Sequence, residues 1–158
     1  MKRQAFTLAE VLVAVILIGL AIASLVASNI SFTKANGAAT NLSTAEFLLE
    51  QIKELTTTLP VIDPDTGAAT FGAEEATLAE YDDLDDFDGK MFSPPIKTDR
   101  TLLTDFTGFT QQVTVENVSP ANFQQVVADG TSNFVRVSAT VLLNAKPICS
   151  SSWIRARY

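Results

Sequence analysis

The chain has no histidine and only one cysteine, Cys149. Without histidine it lacks the commonest general base and the commonest metal ligand. A lone cysteine excludes any disulfide within the chain. Cys149 sits beside an alternating segment, so a small, half-buried strand residue is the expectation there, ahead of a free thiol or an intermolecular bond. Positive charge is also scarce: 11 Lys and Arg stand against 18 Asp and Glu, for a net charge of −7. The basic residues never cluster, and a phosphate-binding surface needs them clustered. Direct nucleic-acid binding is therefore not expected. Nor is there a glycine loop of the kind that cradles phosphate. These absences together point away from an enzyme.

One further absence is local. No proline occurs before Pro60, and no charge lies between Glu10 and Lys34. The stretch Val11–Ala27 is almost wholly apolar, and about 20 such residues span a bilayer core. Lys2 and Arg3 precede the run and Glu10 stands at its edge. A carboxylate in that position is expensive in lipid, which makes it a candidate functional residue. Thr7 and Glu10 also have the spacing of a capping box, which marks a helix start near Phe6 or Thr7.

Past the apolar run, Leu42, Ala45, Leu48, Leu49, Ile52, Leu55 and Leu59 recur at helical spacing, with Glu46, Glu50, Lys53 and Glu54 mostly off that stripe. The pattern predicts one helix from about Phe6 to Leu59. Its first half is apolar all round and its second half amphipathic. Ser31–Thr40, with Gly37 and several small polar residues, is where a bend or an unwound turn would fall.

After Pro60 the texture changes. Asp63–Gly67 is a turn. Ala68–Glu80 favours neither helix nor strand. Tyr81–Gly89 and Ser93-Pro94-Pro95 predict loop. Asp82, Asp83, Asp85, Asp86 and Asp88 fall within one short segment, and five carboxylates so close either stay solvated or gather round a hard cation. Ca²⁺ is the one cofactor the sequence points to, although the spacing is not that of an EF-hand.

The last third alternates with period two. Gln111–Val118, Asn133–Leu143 and Ser151–Tyr158 predict strands, the last two joined through Asn144–Pro147. The expected architecture is α+β: a long N-terminal helix whose amphipathic half packs on a C-terminal antiparallel sheet.

Phe6-Thr-Leu-Ala-Glu10 followed by an apolar run resembles the N-terminal signature of type IV pilins and type II secretion pseudopilins. The resemblance covers about the first 30 residues. It implies cutting between Ala5 and Phe6 by a prepilin peptidase, N-methylation of Phe6, and a role for Glu10 in assembly. Ala5 stands where the family usually has glycine. The helix lacks the proline of many major pilins, and the chain lacks their C-terminal cysteine pair. These departures point to a minor pilin or pseudopilin. The Asp-rich loop, the Ser-Pro-Pro run and the two long C-terminal strands look like minor pilins of the mannose-sensitive haemagglutinin type.

The implied organisation is a leader over residues 1–5, a transmembrane or filament-core half-helix over 6–36, and a pilin-like globular domain over 37–158. Within that domain the helix would run 37–59, loops 60–110 and sheet 111–158. The implied partners are other pilin or pseudopilin subunits, the prepilin peptidase and an inner-membrane assembly platform. The implied location is the bacterial inner membrane for the precursor, with a cytoplasmic N-terminus, and a surface or periplasmic filament after assembly.

Two other readings compete with this one. An ordinary signal peptide could be cut near Ala21-Ile-Ala23, but Glu10 would then interrupt its apolar region, and the helical pattern continues far past the site. A membrane-tethered binding module would use the C-terminal sheet and the acidic loop to hold a ligand.

Overall fold

A computed structural model describes residues 5–64 and 75–157. Lys2, Arg3, the end of the Asp63–Gly67 turn and Tyr158 lie outside them. The chain divides into two compact units, Met1–Thr40 and Asn41–Tyr158.

One helix, α1, runs Leu8–Thr58, 51 residues without interruption. No unwound turn interrupts it over Ser31–Thr40. Hydroxyls there turn back on their own helix: Ser31 Oγ donates to the Ala27 carbonyl at 3.0 Å, Thr33 Oγ1 to Asn29 at 2.9 Å and Thr40 Oγ1 to Asn36 at 3.0 Å. A small polar side chain that satisfies itself this way need not compete with the helical backbone.

In the second unit the helix meets an antiparallel five-stranded sheet. Its strands are β1 (Met91–Phe92), β2 (Phe109–Ser119), β3 (Asn122–Val126), β4 (Phe134–Leu143) and β5 (Lys146–Ala156). The order is β1-β2-β4-β5, with β3 paired to the end of β2. β2 and β4 are in register from Phe109 opposite Leu143 to Asn117 opposite Val135. β5 begins earlier than the sequence pattern suggests, because a tight turn at Asn144–Ala145, both with positive φ, returns the chain at once. β1 and β3 carry too few residues to show a period.

The core lies between the helix stripe and the inner sheet face. Ala45, Leu48, Leu49, Ile52, Leu55 and Leu59 are buried against Val113, Val115, Val135, Val137, Ala139 and Val141. Leu42 is exposed instead, and Thr56 takes a buried place by donating to the Ile52 carbonyl at 2.8 Å. The connection before the sheet is short on regular structure but rich in core: Tyr81, Leu84, Phe87, Phe92 and Ile96 are all buried. Tyr81 meets Phe87 edge-on at 5.2 Å.

Two polar brackets hold the helix to the sheet. Gln111, wholly buried on β2, accepts from the Ile96 N–H at 2.7 Å and donates to the Leu48 carbonyl at 2.8 Å and the Ile96 carbonyl at 3.1 Å. Arg155 on β5 reaches the helix C-terminus, donating to the Thr56 carbonyl and, at 3.0 Å, to the Leu59 carbonyl. The last turn of the helix has no basic residue of its own. Arg155 supplies both the positive charge and the donors that the terminal carbonyls lack.

Candidate functional site

The N-terminal site is built by the helix start. Thr7 is the residue before Leu8, and its hydroxyl accepts from the Glu10 N–H at 3.3 Å. Glu10 answers with Oε2, which accepts from the Thr7 N–H at 2.8 Å and the Thr7 hydroxyl at 2.9 Å. This is the reciprocal capping box that the spacing predicts. It fixes Glu10 one turn from Phe6. Among the described residues, Oε1 of Glu10 takes no hydrogen bond and no cation pairs with the carboxylate. Ala5 and Phe6 precede the helix and are open to attack, with Phe6 84% exposed. Lys2 and Arg3 lie outside the described residues.

Beyond Glu10 the helix presents apolar side chains in every direction. Val11, Leu17, Leu25 and Phe32 are each more than half exposed. The helix is long and apolar enough to cross a membrane, and nothing in the unit buries its most apolar window. So large an apolar surface needs lipid or other chains around it.

The acidic turn is the second site. Its aspartates are not a solvated run: Asp83, Asp85 and Asp86 are buried. Asp83 Oδ1 accepts from the N–H groups of Asp85 at 3.0 Å and Asp86 at 3.2 Å. Asp86 Oδ2 accepts from those of Asp82 at 2.9 Å and Asp83 at 3.4 Å. Asp83 thus holds the first N–H groups of the 3₁₀ turn Asp85–Phe87, and Asp86 reaches back from within that turn to the N–H groups just before it. Asp88 Oδ1 takes the Val115 N–H at 2.7 Å and pins the turn to β2. With the backbone satisfied locally, Leu84 and Phe87 are free to enter the core.

Of the five aspartates, Asp82 and Asp86 come together, joined by Glu75. One oxygen from each of these three lies within 4.8 Å of the others. Asp83, Asp85 and Asp88 stand outside this group, the first and last engaged with backbone N–H groups. Glu75 carried no signal in the sequence, since it lies in the stretch that favours neither helix nor strand. Its contact with the Asp86 carboxyl, more than its burial, pushes it up to about 7.

Cys149 is half buried on β5 and unpaired. Burial, with a smaller contribution from Glu46, raises its thiol pKa and makes it a poor nucleophile.

Comparison with known proteins bears on the first site. Residues 1–26 match the family model described as the prokaryotic N-terminal methylation motif. No curated protein and no solved structure matches the chain. The motif is the N-terminal signature of type IV pilin and pseudopilin precursors. The matched span contains Ala5, Phe6, Glu10 and most of the apolar run. With the exposed apolar helix, it supports a membrane-anchored precursor that carries a pilin-type N-terminal motif.

Proposed function

We propose that the chain is a subunit of a type IV pilus or a type II secretion pseudopilus. In this reading it is cut between Ala5 and Phe6, methylated on Phe6, and assembled with other pilin-type subunits from an inner-membrane platform. The observation that carries the reading is one helix with two kinds of surface. Residues 41–58 bury a stripe against their own sheet, while the residues from Leu8 to Phe32 bury nothing within the chain. Cutting before Phe6 removes Lys2 and Arg3 and leaves that apolar surface on the mature protein. Other copies packed round it would bury about 25 cal/mol per Å² of apolar area. A minor rather than a major subunit is favoured by the absent helix proline and the single cysteine.

Glu10 sets the register in this account. In a dry filament core its charge must be matched. Removal of the leader creates a cation one turn away, the amine of Phe6, and methylation keeps that amine basic. A neighbour displaced along the filament axis would bring its own Phe6 amine to Glu10. Oε1 takes no hydrogen bond among the described residues, which supports this, because a carboxylate already capping Thr7 keeps one oxygen for a partner.

Glu10→Gln separates pairing from capping. Glutamine can still complete a capping box, and a neutral residue makes the span easier to insert. The variant is expected to reach the membrane at wild-type level and to be largely lost from sheared filaments. Incorporation at wild-type level would contradict the pairing.

A further inference from the structure

The two edges of the sheet differ. On one side, the backbone of β2 that turns away from β4 finds partners along the strand. β1 pairs with Gln111 and Gln112. The Val113 N–H donates to the Lys90 carbonyl at 2.9 Å, the Val115 N–H to Asp88 Oδ1 at 2.7 Å, and the Asn117 carbonyl accepts from the Val127 N–H at 2.9 Å. On the other side lies β5. Because Val113, Val115 and Asn117 point away from β4, the alternation of an antiparallel ladder fixes the phase of every strand after them. Carried through the register, it turns Cys149, Ser151, Trp153 and Arg155 of β5 towards β4. The Arg157 N–H, in the same phase, donates to the Asn133 carbonyl at 2.8 Å, as this requires. The N–H and C=O groups of Ser150, Ser152 and Ile154 therefore face outward. They bond to no described residue, and all three residues are exposed. Sheet edges are usually blunted by charge, proline or a bulge. Lys146, Pro147 and the register shift at Val141/Leu142 guard the start of β5, but residues 149–154 carry neither charge nor proline.

The charge on this edge is the reverse of the chain's. The net charge is −7, yet Asp129 is the last acidic residue. Lys146, Arg155 and Arg157 follow it, and among the described residues none of the three pairs with a carboxylate. At the end of β5 a cavity of about 500 Å³ is lined by Leu59, Val61, Ile62, Arg155 and Arg157.

We propose that β5 is a docking edge that adds an extended, acidic strand of a partner protein to the sheet. The outward groups of Ser150, Ser152 and Ile154 supply the main-chain ladder, which is indifferent to sequence. Lys146 and Arg157 flank that ladder and select acidic residues at its ends. The cavity beside Arg157 takes an apolar side chain next to a carboxylate. A second copy of β5 is the wrong occupant, because it would lay Lys146, Arg155 and Arg157 of one copy along the same cations of the other. The proposal goes beyond the filament reading and does not rest on it, since the whole edge lies in the second unit.

The test uses the full chain in detergent micelles and two labelled peptides of alternating valine and threonine, one ended by glutamates and one by lysines. Binding is read by fluorescence anisotropy, and its place by amide hydrogen exchange. The glutamate-ended peptide should bind saturably and slow exchange at Ser150, Ser152 and Ile154, and the lysine-ended one should bind about tenfold more weakly. Ser152→Pro removes an outward N–H and leaves the β4–β5 ladder intact, so it should melt like the wild type and lose about tenfold in affinity. Arg157→Glu should weaken the glutamate-ended peptide by a similar factor. Lys97→Glu, the same charge change in the loop before β2, should bind like the wild type. If Ser152→Pro fails to fold, Arg157→Glu and the exchange pattern decide. Unchanged exchange at the three residues, wild-type affinity in Arg157→Glu or in folded Ser152→Pro, or equal binding of the two peptides would each overturn the proposal. So would an equal loss in Lys97→Glu, or a dimer of the chain that Ser152→Pro dissolves, which would make a second copy the occupant.

Discussion

The two halves of α1 have the same backbone and opposite surroundings. Leu17 is 59% exposed, while Leu48 is wholly buried. In the second half, acidic and basic residues alternate with the apolar stripe, so one face has a partner in the chain and the other faces water. In the first half no such alternation exists, and no face is distinguished from another. A helix that is apolar all round has its natural partners outside its own chain. Helix propensity does not separate the halves; the placement of charge does.

Paired truncations of side chains sharpen that contrast most. Leu48→Ala is expected to destabilise the second unit by about 2–5 kcal/mol, the range for removing a buried leucine. Leu17→Ala should leave that stability within about 0.5 kcal/mol, as for a surface change. Denaturant unfolding followed at Trp153 measures both. A large loss from Leu17→Ala would mean that the first half contributes to the fold of the second unit. No loss from Leu48→Ala would remove the buried stripe from the account.

The bracket at the end of the helix gives a smaller effect. Arg155→Ala removes charge-assisted donors from the Thr56 and Leu59 carbonyls. Arg155 is half exposed, so the expected cost is about 1–2 kcal/mol, below the ~1.5–3 kcal/mol of a fully buried bond to a charged group. Arg155→Lys should recover only part of it, because lysine lacks the planar fork. An unchanged unfolding midpoint in Arg155→Ala would show that the helix end is held by its apolar contacts alone.

The helix, its apolar stripe and the longer strands were legible because each repeats a period over enough residues to be recognised. Thr7 and Glu10 were legible for a different reason: a capping box is a local contract between residues three apart. The brackets were not legible. Gln111 resembles any polar strand residue until Leu48 and Ile96 are placed beside it, and Arg155 serves carbonyls almost a hundred residues earlier in the chain. The acidic turn was half legible. Its composition suggested loop and cation, but composition cannot show that Asp83 and Asp86 spend oxygens on their own backbone. Nor can it show that Leu84 and Phe87 thereby reach the core, or that Glu75 joins Asp82 and Asp86 from outside the run.

The central claim is that the first half of α1 is an assembly surface that stays on the mature chain when the leader is removed. The most direct measurement is the intact mass and N-terminal fragmentation of the protein recovered from the envelope of cells that carry a prepilin peptidase. The account predicts a chain beginning at Phe6 with one methyl group on its amine. An intact chain beginning at Met1, or one cut after Ala23, would contradict it.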